Sequence, residues 1–383
     1  MNRITRAARF VVATLAMSCV SVLVPAIAHA GGRPAAPAVP VPAGFLAQSI
    51  TWLGPQRGWV MGNAPCGSHT CTYVAGTTDG ATSWHLVGVV KAPVPTLGNP
   101  GFGVTEVRFA TPNVGWAFAP DLFRTTDGGR SWSPMTIPGG GKQVLYLATN
   151  TRSAYAIVSP CRWGLGICSH DPLTLWRTTS LTGGAWTQIP LDLPISVGAD
   201  VAVYGRTVYV IDPQTDSPSD RFYASTDGVH FSPRPVPCDD PQDTDLIQAV
   251  PTSATDVALL CDGDPGFSKA VKTVYRSTNT GETVTSAGTM GLYGIQSQLA
   301  ASPSGNLAVE SWSDGSFIYI NDTGGTDWTM VIGSGDGGAG WNDIVYVTDQ
   351  EAWVVFGPTE LFADYGVVYV THDAGQTWEP VTL

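Results

Sequence analysis

One eight-residue turn motif recurs along the chain and constrains its fold more than any other feature. TTDGGRSW at 125–132 and THDAGQTW at 371–378 are near-copies, and TTDGATSW at 77–84 is a third, with Ala81 in place of the second glycine. STDGVHF at 225–231 is one residue shorter and ends in Phe231, while STNTGETV at 277–284 carries Asn279 for Asp and Val284 for Trp. TTSLTGGAW at 178–186 and NDTGGTDW at 321–328 are more degraded copies. From Asp79 to Asp373 there are six steps over 294 residues, 49 per step. A period of that size marks a repeated supersecondary unit.

The flanks repeat with the motif. An apolar run precedes each turn, as in LFRTT (122–126), LWRTT (175–179) and VYRST (274–278), and a short run usually opening with Trp follows it. Upstream lies a small–aromatic–small strand such as GWVMG (58–62), GWAFA (115–119) or AWVVF (352–356). Before that comes the first strand of each unit: SITWL (49–53), TEVRFA (105–110), QVLYLA (143–148), DVAVY (200–204) and NDIVYV (342–347). Four strands in each of seven units account for residues 45–383. The chain is therefore expected to be an all-β, seven-bladed β-propeller of four-stranded antiparallel blades. Its ends match whole units, so the ring should close blade against blade without strand exchange. Only 13% of residues are charged, with 44 Gly and 29 Pro, which suits short strands joined by many turns.

The pattern (S/T)-x-D-x-G-x-x-W resembles the Asp-box of the sialidase-like (BNR-repeat) propellers. That box also occurs in sortilin-type receptors, some endoglucanases and the photosystem II assembly-factor propellers. The GW(V/A)x(G/A) strand ahead of the box is most similar to the last, single-domain group. The resemblance covers nearly the whole chain after the N-terminal segment, and it implies a fold rather than a function, because such scaffolds host many activities. The box residues have structural roles. Asp79, Asp127, Asp227 and Asp373 can accept N–H groups across their own turns. The glycines permit positive φ. Trp84, Trp132 and Trp378 can bury their rings against a neighbouring blade. These carboxylates are expected to be frame, not active-site acids.

The first 30 residues read as an export signal. Arg3, Arg6 and Arg9 form a positive region, Phe10 to Val24 is apolar, and Ala28-His29-Ala30 is a small-x-small cleavage site. Residues 31–44 form a Pro/Ala-rich tether. The apolar run is short for a membrane span and no later segment is long enough; lipidation of Cys19 is a rival reading. Removing Cys19 leaves six cysteines, whose spacing suggests three local disulfides, Cys66–Cys71, Cys161–Cys168 and Cys238–Cys261. A zinc site with His69 or His170 nearby is the alternative. The formal charge is −12 and no Lys/Arg run is present, so nucleic acid is not an expected partner.

In a propeller, the turns between third and fourth strands share one face, here the box face. The turns between second and third strands, and the connections between blades, share the other. That second face receives the long segments 62–72, 159–173, 212–220, 235–245, 262–271, 312–315, 333–341 and 357–366, and all three expected disulfides touch it. Irregular loops on a rigid frame are where binding sites usually sit. Aromatic candidates there are Trp163, Trp312, Trp341 and Tyr365. Aligning first strands puts Glu106, Asp200 and Asp343 at one level near the channel mouth, with Ser49 and Ser297 at the same offset. Such carboxylates could act as acid and base on a glycosidic bond. Asp239, Asp240, Asp243 and Asp245, with Asp262 and Asp264, are an acidic cluster that could take Ca²⁺; otherwise no cofactor is expected.

A sialidase would need three arginines on the substrate carboxylate. The family's Arg-Ile-Pro motif is absent, and Arg57, Arg152 and Arg206 fall at turns on the box face. Only Arg108 is on a first strand, with Arg162 and Arg221 near the loop face. The expectation is an exported, monomeric, non-enzymatic module that binds an extracellular protein or glycan through its loop face. A glycoside hydrolase or lyase acting through Glu106, Asp200 or Asp343 is the alternative.

Overall fold

In a computed structural model the described residues are 38–383, apart from 96–100, 140, 142, 163–171, 195–198, 214–219, 239–244, 264–265, 267–268, 335–339 and 358–365. They contain 28 strands in seven four-stranded antiparallel sheets and no helix. The seven blades span residues 46–90, 104–134, 143–193, 200–234, 245–290, 296–334 and 340–381. Each sheet is built from four consecutive strands, so no strand crosses from one blade to another. First strands contact one another in sequence around the ring, and the first strand of blade 1 meets that of blade 7. The backbone N–H of Ala47 donates to Gly366 O (3.0 Å) across this closure.

The apolar core is divided into seven clusters, each drawn from two adjacent blades. The residue that ends each repeated turn supplies one cluster apiece. Trp84, Trp132, Trp186, Phe231, Val284, Trp328 and Trp378 each pack toward the preceding blade. The second-strand aromatics face the other way. Trp59 of blade 1 stacks on Phe109 of blade 2 with ring centroids 3.8 Å apart. A four-stranded blade has two apolar faces and cannot bury either alone, so each blade is stable only between two others.

The turn motif is closed by its own side chains. Thr125 Oγ1 donates to Asp127 Oδ1 (2.8 Å) and accepts the N–H of Gly129 (2.9 Å). Asp127 accepts the Ser131 N–H (2.9 Å) and hydroxyl (2.6 Å), and Trp132 Nε1 donates to Gly129 O (2.9 Å). The same carboxylate bonds form around Asp79 and Asp373, though Trp84 Nε1 lacks the indole bond that Trp378 keeps, and Asn279 replaces the carboxylate with an amide oxygen that accepts the Thr283 N–H. Such donors hold the Asp79 and Asp373 carboxyls below the usual carboxylate range, and His230, with its ring nitrogen 2.7 Å from Asp227 Oδ2, does the same for Asp227. Gly128 and Gly129 both have positive φ (78° and 97°), a pair of left-handed residues that glycine adopts freely. In blades 1, 2, 5 and 7 the turn rests on the turn between first and second strands, as where Gly128 N–H donates to Asn113 O (2.9 Å).

Candidate functional site

The first strands enclose a central channel of about 1650 Å³. Register places seven polar side chains at one level of it. Ser49, Glu106, Tyr146, Asp200, Gln248, Gln298 and Asp343 each lie opposite the fourth residue of the second-strand pattern, respectively Met61, Phe118, Ile157, Ile211, Leu260, Glu310 and Val355. Glu106, Asp200 and Asp343 therefore share a level, as the aligned strands predict. Ser297 does not; it pairs with Ser311, and Gln298 takes the position. Bulges at Ala47/Ser49, Val144/Tyr146, Leu246/Gln248 and Trp341/Asp343 add a first-strand residue in blades 1, 3, 5 and 7, so counting from the strand start is not a uniform guide to level.

This ring is a set of clamps between blades. Ser49 Oγ accepts Val107 N–H (3.1 Å), Asp200 accepts Ala249 N–H, Gln248 Oε1 accepts Leu299 N–H (2.6 Å) and Asp343 Oδ2 accepts Ile50 N–H (3.0 Å). Gln298 Nε2 donates to Asn342 O (2.9 Å). In every case a side chain of one blade holds the backbone of the next, which satisfies amides that would otherwise face the channel unpaired.

Charge concentrates where blades 7, 1 and 2 meet. Arg108 Nη1 lies 3.1 Å from Glu106 Oε2 and 3.0 Å from Asp343 Oδ2, and its Nη2 donates to Asp343 Oδ1 (3.3 Å). Ser49 Oγ is 2.9 Å from Asp343 Oδ2 and 3.2 Å from Glu106 Oε2, so its single proton serves one or the other. Burial pushes the Glu106 carboxyl up against the pull of Arg108, and burial raises Asp200 to about 6. Asp343 already accepts from Ser49, Ile50 and Arg108. Most of the acceptor capacity of Asp343 is therefore spent on holding blades 7, 1 and 2 together.

Glu310 is the exception among the second strands. It is 1% exposed, its Oε2 has no hydrogen-bond partner, and six other blades place an apolar side chain at its position. Burial, with Asp343 nearby, raises its carboxyl well above the usual range. The folded state thus holds a proton that the unfolded chain releases near pH 4.5, so Glu310 subtracts stability as pH rises above that value. Glu310→Leu is expected to stabilise the protein by about 2 kcal/mol at neutral pH. In urea unfolding at pH 4 to 8, the gap between variant and wild type should widen as pH rises; a constant gap would show that the carboxyl does not titrate in this way.

The aromatic candidates divide. Trp341 is not a binding platform: it is 3% exposed and packs on Phe356 with centroids 4.8 Å apart, because the blade 7 first strand begins at Gly340 and turns the ring into the 6/7 interface. Trp312 is half-buried against the same cluster. Trp163 and Tyr365 lie outside the described residues, as do Cys168, Asp239, Asp240, Asp243 and Asp264. Cys66–Cys71 and Cys238–Cys261 are disulfides, which removes these four thiols from any zinc site. Asp262 is 9% exposed and sits opposite Lys272 in the ladder, whose ammonium it favours electrostatically. Among the described residues, no group of three acidic, His or Cys side chains is placed to hold a metal. Arg162 pairs with Asp121 (2.8 Å) and Arg221 with Asp192 (2.8 Å), so neither joins Arg108 in a three-arginine cradle.

Two features of the loop face escaped the sequence reading. Lys272 is fully buried and donates to Ala270 O (2.8 Å), Tyr293 O (3.1 Å) and Gly294 O (2.8 Å); burial lowers it to about 8. The segment it pins, between blades 5 and 6, exposes Leu292 (49%), Tyr293 (49%) and Ile295 (37%), while other exposed large apolar residues are scattered singly. Sequence gave one signal, GLYGI at 291–295 between two strands.

The fold and this ring define the class of protein, a seven-bladed β-propeller with a clamped polar channel. No protein-family model matches the chain, and no curated protein sequence does. Solved structures do match. An oligogalacturonate lyase from Vibrio parahaemolyticus is 10% identical over 87% of this chain and 92% of that chain, with a TM-score of 0.56. Sqt1 of Saccharomyces cerevisiae is 9% identical over 88% and 84%, with a TM-score of 0.51. YCF48 from Cyanidioschyzon merolae is 16% identical over 76% and 88%, with a TM-score of 0.50. At such identities the likeness shows the fold alone. Among the described residues no helix is long and apolar enough to cross a membrane.

Proposed function

We propose that this chain is an exported, non-enzymatic binding module of the Asp-box type that holds an extracellular protein or glycan on its loop face. The observation that carries the reading is the Leu292–Ile295 segment. Three large apolar side chains are exposed together, and a buried ammonium fixes the backbone that presents them. Burying Lys272 is costly unless its donors are met, and a contiguous apolar patch on a soluble frame marks an interaction site. Two disulfides on the same face agree with an oxidising compartment, as do the export signal at 1–30 and the tether at 31–44. The clamped state of Asp343 supports a binding role over hydrolysis or lyase chemistry at Glu106, Asp200 and Asp343.

A glycan array and a pull-down from extracellular protein, run with wild type, Leu292→Ser/Tyr293→Ser and Glu106→Gln, test this reading. The expected result is a ligand retained by wild type and Glu106→Gln and weakened at least tenfold by the double variant. Equal retention by all three removes the site from this segment, and loss in Glu106→Gln alone moves it to the channel.

A further inference from the structure

A second cavity, about 180 Å³ in volume, opens on the box face between blades 1 and 2. Its floor is Trp59, fixed by its stack on Phe109 and by Nε1 donating to Gly128 O (3.2 Å). Its walls carry Arg57 from the first turn of blade 1, His85 from the start of that blade's fourth strand, and Arg130 from the box of blade 2. Asn113 and Thr78 add polar groups that can donate or accept, and no carboxylate is among the lining residues.

The two guanidiniums are uncommitted to acids. Among the described residues neither Arg57 nor Arg130 forms an ion pair; Arg130 Nη1 donates to the backbone of Asp127 (2.8 Å). The nearby carboxylates are engaged elsewhere. Asp79 is held by Thr77 and Ser83, and Asp127 by Thr125 and Ser131. A crevice lined by two guanidiniums and no carboxylate, on a chain of net charge −12, suits a charge the rest of the surface repels. We propose that it binds a small oxyanion group (phosphate, sulfate or carboxylate) carried by a small molecule, independently of the loop face.

The test is calorimetric titration of the full chain with sodium phosphate, sulfate, acetate and glucuronate at fixed ionic strength. Arg57→Gln, Arg130→Gln and a box-face control, Arg152→Gln, are titrated alongside. At least one anion should saturate one site, weaken at least tenfold in either of the first two variants, and bind the control as wild type; the tightest arm identifies the source of the oxyanion. In parallel, His85 ring resonances in wild type should shift with that anion while those of His69 do not, a readout that needs no variant to fold. Absence of saturable binding by all four anions, unchanged binding in both variants, or a still His85 overturns the proposal.

Discussion

Asp343→Ala should lower the unfolding free energy by about 3 kcal/mol, more than any other substitution in the channel ring. Among the described residues no exchanged strand holds the ring shut. Blade 7 is joined to blade 1 by an apolar cluster that includes Ile50, Val60, Trp353 and Val355, by the Ala47–Gly366 bond, and by Asp343. That one carboxylate accepts from Ile50 N–H, Ser49 Oγ and both terminal nitrogens of Arg108. Alanine leaves the Ile50 amide unpaired and Arg108 facing Glu106 alone. Breaking a buried pair on one side costs about 3–5 kcal/mol, and the 31% exposure of the Arg108 side chain places the loss at the lower end. Asp343→Asn keeps an acceptor for Ile50 and loses the charge, so it should cost about half as much. Urea unfolding of the three proteins with a shared slope measures this. A loss under about 1 kcal/mol for the alanine variant would mean that apolar packing alone closes the ring.

Cys238→Ala/Cys261→Ala should cost about 3 kcal/mol, the chain-entropy value for a disulfide across a sequence separation of 23. Cys261 is fully buried beside Tyr209, Ile211 and Leu246, so alanine there also loses some packing. The bond ties the connection after blade 4 to the second strand of blade 5, segments that no shared sheet joins. The Cys66–Cys71 bridge spans a separation of 5 within a hairpin whose ladder already pairs Pro65 with Thr70 and Cys66 with His69. Its removal should cost about 2 kcal/mol or less. Denaturant unfolding of the two double variants decides the order. If the hairpin bridge proves the costlier, loop closure in the unfolded chain is not what these disulfides supply.

Much of the frame was legible because its determinants are local. The boxes at 77–84, 125–132 and 371–378 bond within eight residues, and their final Trp each fill one inter-blade cluster. First-strand alignment also placed Glu106, Asp200 and Asp343 at one level. The sequence places Arg108 on a first strand but gives it no partner; in the fold it is the cation that holds Glu106 and Asp343 together. Trp341 falls in a loop segment by sequence because its strand begins at Gly340, two residues upstream of the aligned start at Asn342. Glu310 in LAVESW was detectable by comparing second strands, where six blades offer Met, Phe, Ile, Ile, Leu and Val at that position.

The sequence by itself determined the blade count and the turn chemistry, since each depends on neighbours a few residues away or on a regular period. Only the tertiary structure decided what the charged groups do. Ser49 and Asp343 are 294 positions apart and meet at 2.9 Å, and Arg57 and Arg130 line one crevice from different blades. Such distances are set by closure of the whole ring, and Coulomb and hydrogen-bond energies vary too steeply with distance for any local pattern to fix them.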